Sequence, residues 1–411
     1  MFEAVRIFKS LTREQRNTFI ACFLGWTLDA LDFFLLTFVL VPVGRDFGRS
    51  IPEVAFAITV TLMMRPIGAL IFGLLADRFG RRIPLMVDIV FYSVMELATA
   101  WSPNFTVFII LRALFGIGMG GEWGLGASLT MESLPAKARG LCSGILQQGY
   151  AFGYLLAALT YWIVFPIFGW RGLFVAGALP AFLVIYIRAH VPESPVWKRQ
   201  RNEVARERPA FMSLVRQYGT LFLYAALLMT AFNYMSHGTQ DLYATYLEKQ
   251  RGFGVSAKSM IAIVYAVGAI CGGSIVGMLS QKWGRRRCVM ICAFCGILLI
   301  PSWVFAPGTA MLVVGGFLMQ FMVQGAWGVI PVHLSELSPP MLRGTFPGLA
   351  YQLGNFAAAY AAQQQAWLAE RFFTNNGMPN YALTMAMVLL VVFAAIIILA
   401  AVGPEKRGRE F

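Results

Sequence analysis

Twelve apolar runs, each close to the length that crosses a bilayer, constrain this chain more than any other feature. They lie at about 18–43, 53–75, 83–100, 105–130, 140–165, 170–189, 218–247, 257–280, 287–305, 309–333, 344–369 and 381–402. A helix needs roughly 20 mostly apolar residues to cross the hydrocarbon core. The runs leave almost no chain for a soluble domain. With 58% hydrophobic and 13% charged residues, a soluble fold of 411 residues would lack polar surface. The expected fold is an all-α membrane protein with twelve transmembrane helices.

The net charge of +13 records topology rather than a nucleic-acid partner. With the N-terminus placed inside, cytoplasmic segments hold 23 Lys and Arg, the opposite segments 7, and Arg65, Arg112 and Arg188 lie within runs. Positive residues resist translocation, so both termini are expected inside. The first run is too long for a signal-peptide core and is expected to be retained. Cys22, Cys142, Cys271, Cys288, Cys292 and Cys295 fall in or beside runs and imply no disulfide framework.

The chain repeats itself. Gly73, Asp77, Arg78, Gly80, Arg81 and Arg82 follow the second run; Gly277, Gln281, Lys282, Gly284, Arg285 and Arg286 follow the eighth, 204 residues on. Glu132, Pro135, Arg139 and Gly140 map to Glu336, Pro339, Arg343 and Gly344 at the same offset, as do Gly121, Trp123 and Gly124 to Gly325, Trp327 and Gly328. Pro192 and Glu193 map to Pro404 and Glu405 at 212, which places an eight-residue gain near 370–380. The expected organisation is a six-helix bundle over 1–190, a cytoplasmic linker over 191–217 and a second six-helix bundle over 218–411.

Parallel six-helix repeats with Gly-x-x-x-Asp-Arg-x-Gly-Arg-Arg after the second helix resemble the major facilitator superfamily over the whole length. The resemblance implies alternating access: two halves rock about a site near the membrane midplane. It also implies a cytoplasmic gate of ion pairs drawn from Asp77, Arg81, Glu132, Arg139, Glu193, Arg286, Glu336, Arg343 and Glu405, two charged states of one latch. The alternative is solvated loops that only fix topology.

Two motif matches are set aside. Cys288, Cys292 and Cys295 have the spacing of an iron–sulfur site, but lie on a membrane helix. Gly116, Gly118 and Gly121 have the dinucleotide spacing, but follow no strand. Gly116, Gly120 and Gly124 recur every four residues and are expected to let another helix approach.

Ionisable groups in lipid are costly and usually face a pathway. The first run carries Asp29 and Asp32, one helical turn apart. The second carries Arg65, the third Asp88 and Glu96, the fourth Arg112 and Glu122. Arg65 and Asp29 lie near the midplane, Asp32 and Arg112 nearer the outside, Asp88 near the cytoplasmic end. Arg65 keeps its charge, so it is expected to clamp a substrate carboxylate; the alternative is a structural partner for Asp29 or Asp32. Asp32 with Arg112 is expected to couple protons, because moving the arginine changes the affinity of a buried carboxylate for its proton. Asp29 is the reserve, Glu122 a further candidate, and a fixed ion pair the alternative. The seventh run carries Asn233, Ser236, His237, Gln240 and Asp241 on one broad polar face, and His237 is suited to titrate near neutral pH.

Within the superfamily, Asp29-Ala-Leu-Asp32, Arg65-Pro-Ile-Gly68 and Gln147-Gln148-Gly149-Tyr150 resemble the sialate:proton symporter family, which holds fungal lactate/pyruvate permeases and bacterial sialic acid transporters. The pattern Asn233-x-x-Ser236-His237-x-Thr239-Gln240-Asp241-x-x-x-Thr245 resembles the permeases. The residues around Arg188 resemble the sialate branch, whose two extra central helices have no room here. The resemblance implies a proton-coupled symporter of a small organic anion, first a monocarboxylate such as lactate or pyruvate, with sialic acid as the alternative. Gln148, Tyr150, Asn233, His237, Gln240 and Gln352 are expected around the anion beside Arg65. A multidrug efflux pump is the second alternative, disfavoured by Arg65 and these amides. A sensor usually needs a long cytosolic tail, and the chain ends nine residues past the last run. No catalytic set or metal-ligand cluster stands in a loop, so neither enzyme activity nor a cofactor is expected. The expected setting is a bacterial inner membrane, as a monomer.

Overall fold

The computed structural model describes residues 8, 10–49, 51–203, 211–253, 255–375 and 378–407. The expected linker therefore lies partly outside the described residues. In the N-terminal half the helices are α1 (Arg13–Phe38), α2 (Leu40–Phe47), α3 (Ile51–Phe79), α4 (Arg82–Ala100), α5 (Phe105–Ser133), α6 (Ala136–Gln147), α7 (Gly149–Ala176) and α8 (Leu183–His190). A short helix, α9 (Pro195–Glu203), precedes the C-terminal half. That half contains α10 (Phe211–Gln240), α11 (Tyr243–Lys249), α12 (Val255–Trp283), α13 (Arg285–Val304), α14 (Thr309–Trp327), α15 (Ile330–Leu337), α16 (Phe346–Ala358), α17 (Ala361–Arg371) and α18 (Tyr381–Val402).

Local chemistry sets several ends. Thr12 caps α1 through a capping box: its hydroxyl accepts from Gln15 N at 3.2 Å, and Gln15 Oε1 accepts from Thr12 N at 3.0 Å. Asn104 caps α5 by accepting from Val107 N at 2.9 Å. Within α7, Gly169 at φ 62°, ψ −164° breaks the helix between the fifth and sixth runs, a conformation glycine reaches freely. The eight-residue gain in the second half coincides with a small ribbon that pairs Thr374–Asn375 with Met378–Pro379.

Eight helical stretches are individually long and apolar enough to cross a membrane among the described residues, and a bent pair, Ala136–Tyr161 with Ile163–Ala176, makes a ninth. The other three runs are the short α8, the polar-faced α10, and the eleventh run, which divides into α16 and α17. Together they make the twelve-helix, two-bundle fold. On α4 the two environments alternate helically: Ile83, Val87, Val90 and Val94 are 42–53% exposed and face lipid, while Asp88, Ile89, Tyr92, Ser93 and Glu96 are buried.

Glycines let helices touch backbone to backbone. A Cβ on Gly68 would meet Ile117 O at 1.6 Å, and one on Gly120 would meet Arg65 O at 2.0 Å, which locks α3 against α5. Gly272 and Phe321 O, 2.0 Å by the same measure, repeat this between α12 and α14. Gly116 packs likewise on Thr61 O, as its spacing implied, whereas Gly124 meets Gly348 Cα of the opposite half at 2.6 Å. The inter-half seam also joins Gly144 to Gly277, and Ser143 Oγ donates to Gly328 O at 2.8 Å. These contacts lie toward the membrane face that carries the basic loops, so the structure is closed on that face.

Candidate anion site and gate

The guanidinium of Arg65, on α3, is 3% exposed. Its Nη2 donates to Asp29 Oδ2 of α1 at 3.5 Å, a long contact, and its Cζ lies 5.9 Å from the centre of the Phe33 ring. Arg65 Nε and Asp29 Oδ1 have no hydrogen-bond partner among the described residues. Farther along α3 a Cβ on Gly73 would meet Thr345 Cα at 2.7 Å, and Ala69 Cβ lies 4.0 Å from where a Cβ on Gly348 would be, so Arg65 stands on a helix that packs against the other half.

Aromatic rings wall this interface. Trp26 stacks on Tyr150 at 5.7 Å between centroids, Trp123 lies 4.5 Å from Tyr351, and Trp327 meets Tyr351 edge-on at 5.6 Å. Trp123 Nε1 donates to Gln147 Oε1 at 3.1 Å, and Trp327 Nε1 to Ser236 Oγ at 2.5 Å. These bonds fix two rings at repeat-related positions.

The expected amides are distributed as follows. Gln352 is fully buried and its Nε2 has no hydrogen-bond partner among the described residues, while its Oε1 accepts from Asn355 at 3.4 Å. Gln148 lies against the backbone of Gly273 across the seam. Asn233 donates to Met229 O of its own helix at 2.8 Å. Gln240 is held by Gln320 Oε1 at 3.2 Å, and Gln320 in turn donates to Thr239 Oγ1 at 3.1 Å. His237 Nδ1 lies 3.1 Å from Asp241 Oδ2, one helical turn on. Gln320 was not singled out from sequence; its signal is an amide at the position equivalent to Gly116.

One expected pairing is corrected. Arg112 does not pair with Asp32: its Nη1 donates to Glu96 Oε2 of α4 at 2.5 Å, and its Cζ lies 4.1 Å from the Phe115 ring centre. Both oxygens of Asp32 lack a hydrogen-bond partner among the described residues. The physical reason is helix adjacency. The guanidinium sits between α4 and α5, where Glu96 is presented directly, and depth along α1 cannot report that. Glu122 and Asp88, fully buried, also have both oxygens unpartnered.

On the basic-loop face the repeat produces two matching staples. Arg81 grips Glu132 with two bonds, Nε at 3.1 Å and Nη2 at 3.0 Å, and Glu193 accepts from the backbone of Arg81 at 2.8 Å and of Arg82 at 3.1 Å. Gly80 adopts φ +96°, and a Cβ there would strike Glu193 at 2.3 Å, so glycine is required twice over. In the other half Arg285 grips Glu336 at 3.0 Å twice, and Glu405 accepts from the backbone of Arg285 and Arg286 at 3.1 Å each. The cation expected there from sequence, Arg286, instead directs its side chain to the carbonyls of Ala400 and Ala401. Its neighbour Arg285 stands 204 residues after Arg81, so the repeat itself marks the right one. Arg139 donates to Met131 O and Leu134 O at 2.9 and 3.1 Å, closing its own loop. These staples act within one half each.

Asp77 is different. Besides an ion pair with Arg81 of its own half at 3.3 Å, its carboxylate accepts from Gly344 N at 2.7 Å, Thr345 N at 3.1 Å and Thr345 Oγ1 at 2.7 Å, all in the other half. Ser128 Oγ adds a bond to Arg343 O at 2.7 Å. The repeat-equivalent of Asp77 is Gln281, whose Oε1 stays with Arg285 at 2.7 Å. The seam thus carries a latch on one side of its pseudo-twofold axis.

The Major Facilitator Superfamily model matches residues 22–362 and 226–410. A carboxylic acid transporter protein homolog of Saccharomyces cerevisiae is 30% identical over 98% of this chain and 70% of its own length. The sialic acid transporter NanX of Escherichia coli is 25% identical over 98% of this chain and 97% of its own length. Among solved structures, the proton:xylose symporter XylE superposes with a TM-score of 0.78 at 19% identity, over 96% of this chain and 97% of the other. Paired six-helix bundles, the repeated loop motifs and these matches lead to one conclusion: the chain belongs to the Major Facilitator Superfamily.

Proposed function

We propose that the chain is a proton-coupled transporter of a small organic anion, a monocarboxylate such as lactate or pyruvate, working by alternating access in a bacterial inner membrane with both termini inside. Its class, a transporter rather than an enzyme, follows from the family. The observation that carries the substrate reading is Arg65: a buried permanent cation on a helix that packs against the other half, held by a long contact to Asp29 and, among the described residues, with no hydrogen-bond partner for Nε.

That geometry supplies a coupling mechanism. One guanidinium cannot fully satisfy both Asp29 and a substrate carboxylate. An entering anion takes the planar fork of Arg65 through charge-assisted hydrogen bonds. Asp29 is then displaced from its cation, and a proton on its carboxyl group restores neutrality. The anion and the proton thus enter together, and neither alone leaves a balanced site. Gln352, with its free amide N–H, and Gln148 flank the anion. The Asp77 latch opens as the halves rock, exposing the site to the inside. The relative named for carboxylic acids, with the seventh-run pattern from Asn233 to Thr245, supports this reading. A sialic acid would need several further hydrogen-bond partners, because unmet buried polar groups cost about 1–3 kcal/mol each. Much of the wall around Arg65 is aromatic instead. The test is uptake of labelled lactate into proteoliposomes in the presence of excess sialic acid. Lactate entry that sialic acid leaves intact supports the reading; high-affinity sialic acid uptake with no lactate entry defeats it.

A further inference from the structure

We propose that Asp88, Tyr92 and Glu96 on α4, closed by Asp32 and Glu122, form a proton-holding file inside the N-terminal half, separate from the anion site, that stores and passes the proton used in transport. The proposal rests on the proton-coupled reading above.

The three α4 residues are one helical turn apart on its buried face, spanning about 12 Å along the axis, and each is 0% exposed. From α1 the file is faced by Asp32, which shares the space beside Gly177 with Glu96, and by Cys22, which lines the space beside Gly126 with Glu122 of α5; from α5 Arg112 also donates to Glu96 at 2.5 Å, and Asp29, one turn before Asp32 on α1, holds Arg65 of α3. The segment between α7 and α8 contributes Gly177, and α8 contributes Leu183, neither of which titrates. At the outer end Asp32 and Glu96 share one space: a Cβ on Gly177 would lie 3.1 Å from Asp32 Oδ1 and 3.2 Å from Glu96 Oε1. Toward the inner end Glu122 presses on Gly25, its Oε1 2.3 Å from where a Cβ would be. Tyr92 stands one turn from Asp88 and one turn from Glu96 on the same buried face of α4.

Two independent observations separate this file from ordinary packing. Eight of its oxygens have no hydrogen-bond partner among the described residues: two each on Asp32, Asp88 and Glu122, one on Glu96, and the hydroxyl of Tyr92. Buried polar atoms are otherwise paired. Charge is also unbalanced: five buried carboxyl groups, counting Asp29, face two guanidiniums, Arg65 and Arg112. Arginine does not give up its proton, so the excess is neutralised by protons on the acids. A proton moves by breaking O–H on one carboxyl and forming O–H on its neighbour, with Tyr92 accepting one proton as it donates its own. Nothing is oxidised or reduced.

The experiment combines two readouts on the full-length protein in liposomes. One is infrared difference spectroscopy across a pH titration, which follows the carbonyl stretch of protonated carboxyl groups without any substrate. The other is lactate accumulation driven by an inward proton gradient. Asp88→Asn and Glu122→Gln are each expected to delete a component of the carboxyl band and to lower gradient-driven accumulation toward the no-gradient level. If both variants keep the wild-type band and accumulation, the file is overturned. Tyr92→Phe preserves every charge and is expected to slow gradient-driven uptake at an unchanged pH midpoint; a wild-type rate in it removes the relay. A wild type that ignores the gradient defeats the coupled reading, and the carboxyl band then decides the file alone.

Discussion

At the residue scale the account turns on Arg65 and Asp29. That both are buried was legible in the sequence, because each is a charge inside an apolar run. Removing the guanidinium in Arg65→Ala deletes charge-assisted bonds worth about 1.5–3 kcal/mol, so affinity for the carboxylate is expected to fall roughly 10- to 150-fold, measured by substrate-induced quenching of tryptophan fluorescence. Arg65→Lys is also expected to weaken binding, since a point charge does not reproduce the planar fork. Asp29→Asn imitates the protonated carboxyl, and uptake through it is expected to lose its dependence on the pH gradient; an unchanged pH profile would move the proton to another acid. The partner of Arg112 was not legible. Glu96 and Asp32 are both buried carboxylates within reach of α5, and only the packing of α4 on α5 selects between them.

At the scale of elements, much of the architecture could be read beforehand. The apolar runs mark the membrane segments, and the offset of 204 pairs Gly80 with Gly284 and Glu132 with Glu336. The same offset pairs Arg81 with Arg285 rather than with its neighbours Arg286 and Arg287, and the bidentate contact of Arg285 to Glu336 bears that register out. Arg285→Ala would break the buried, two-bonded pair with Glu336, at a cost of about 3–5 kcal/mol. A lowered melting temperature in detergent is the expected result, and Arg286→Ala is expected to cost less. The break at Gly169 falls in the gap between the fifth and sixth runs, whereas the break between α16 and α17 escapes a hydropathy reading, which sees one apolar run over 344–369. Gly120→Leu is expected to spread α3 from α5 and prevent stable folding, checked by size-exclusion profile, because its Cβ meets Arg65 O at 2.0 Å.

At the scale of the whole molecule, the two bundles meet toward the basic-loop face, through Gly124 with Gly348, Gly144 with Gly277, and the Asp77 latch. Alternating access requires this seam to part. A Cβ on Gly344 would lie 3.0 Å from the Cβ of Ala76, close to disulfide range. In a background lacking the native cysteines, Ala76→Cys with Gly344→Cys is therefore expected to cross-link under oxidation, stop transport, and recover with reductant. The most direct test of the central claim is accumulation of labelled lactate in proteoliposomes, with and without an inward proton gradient, for wild type and Arg65→Ala. The account predicts accumulation above the external concentration only with the gradient and only in the wild type; equal accumulation without the gradient, or in Arg65→Ala, would contradict it.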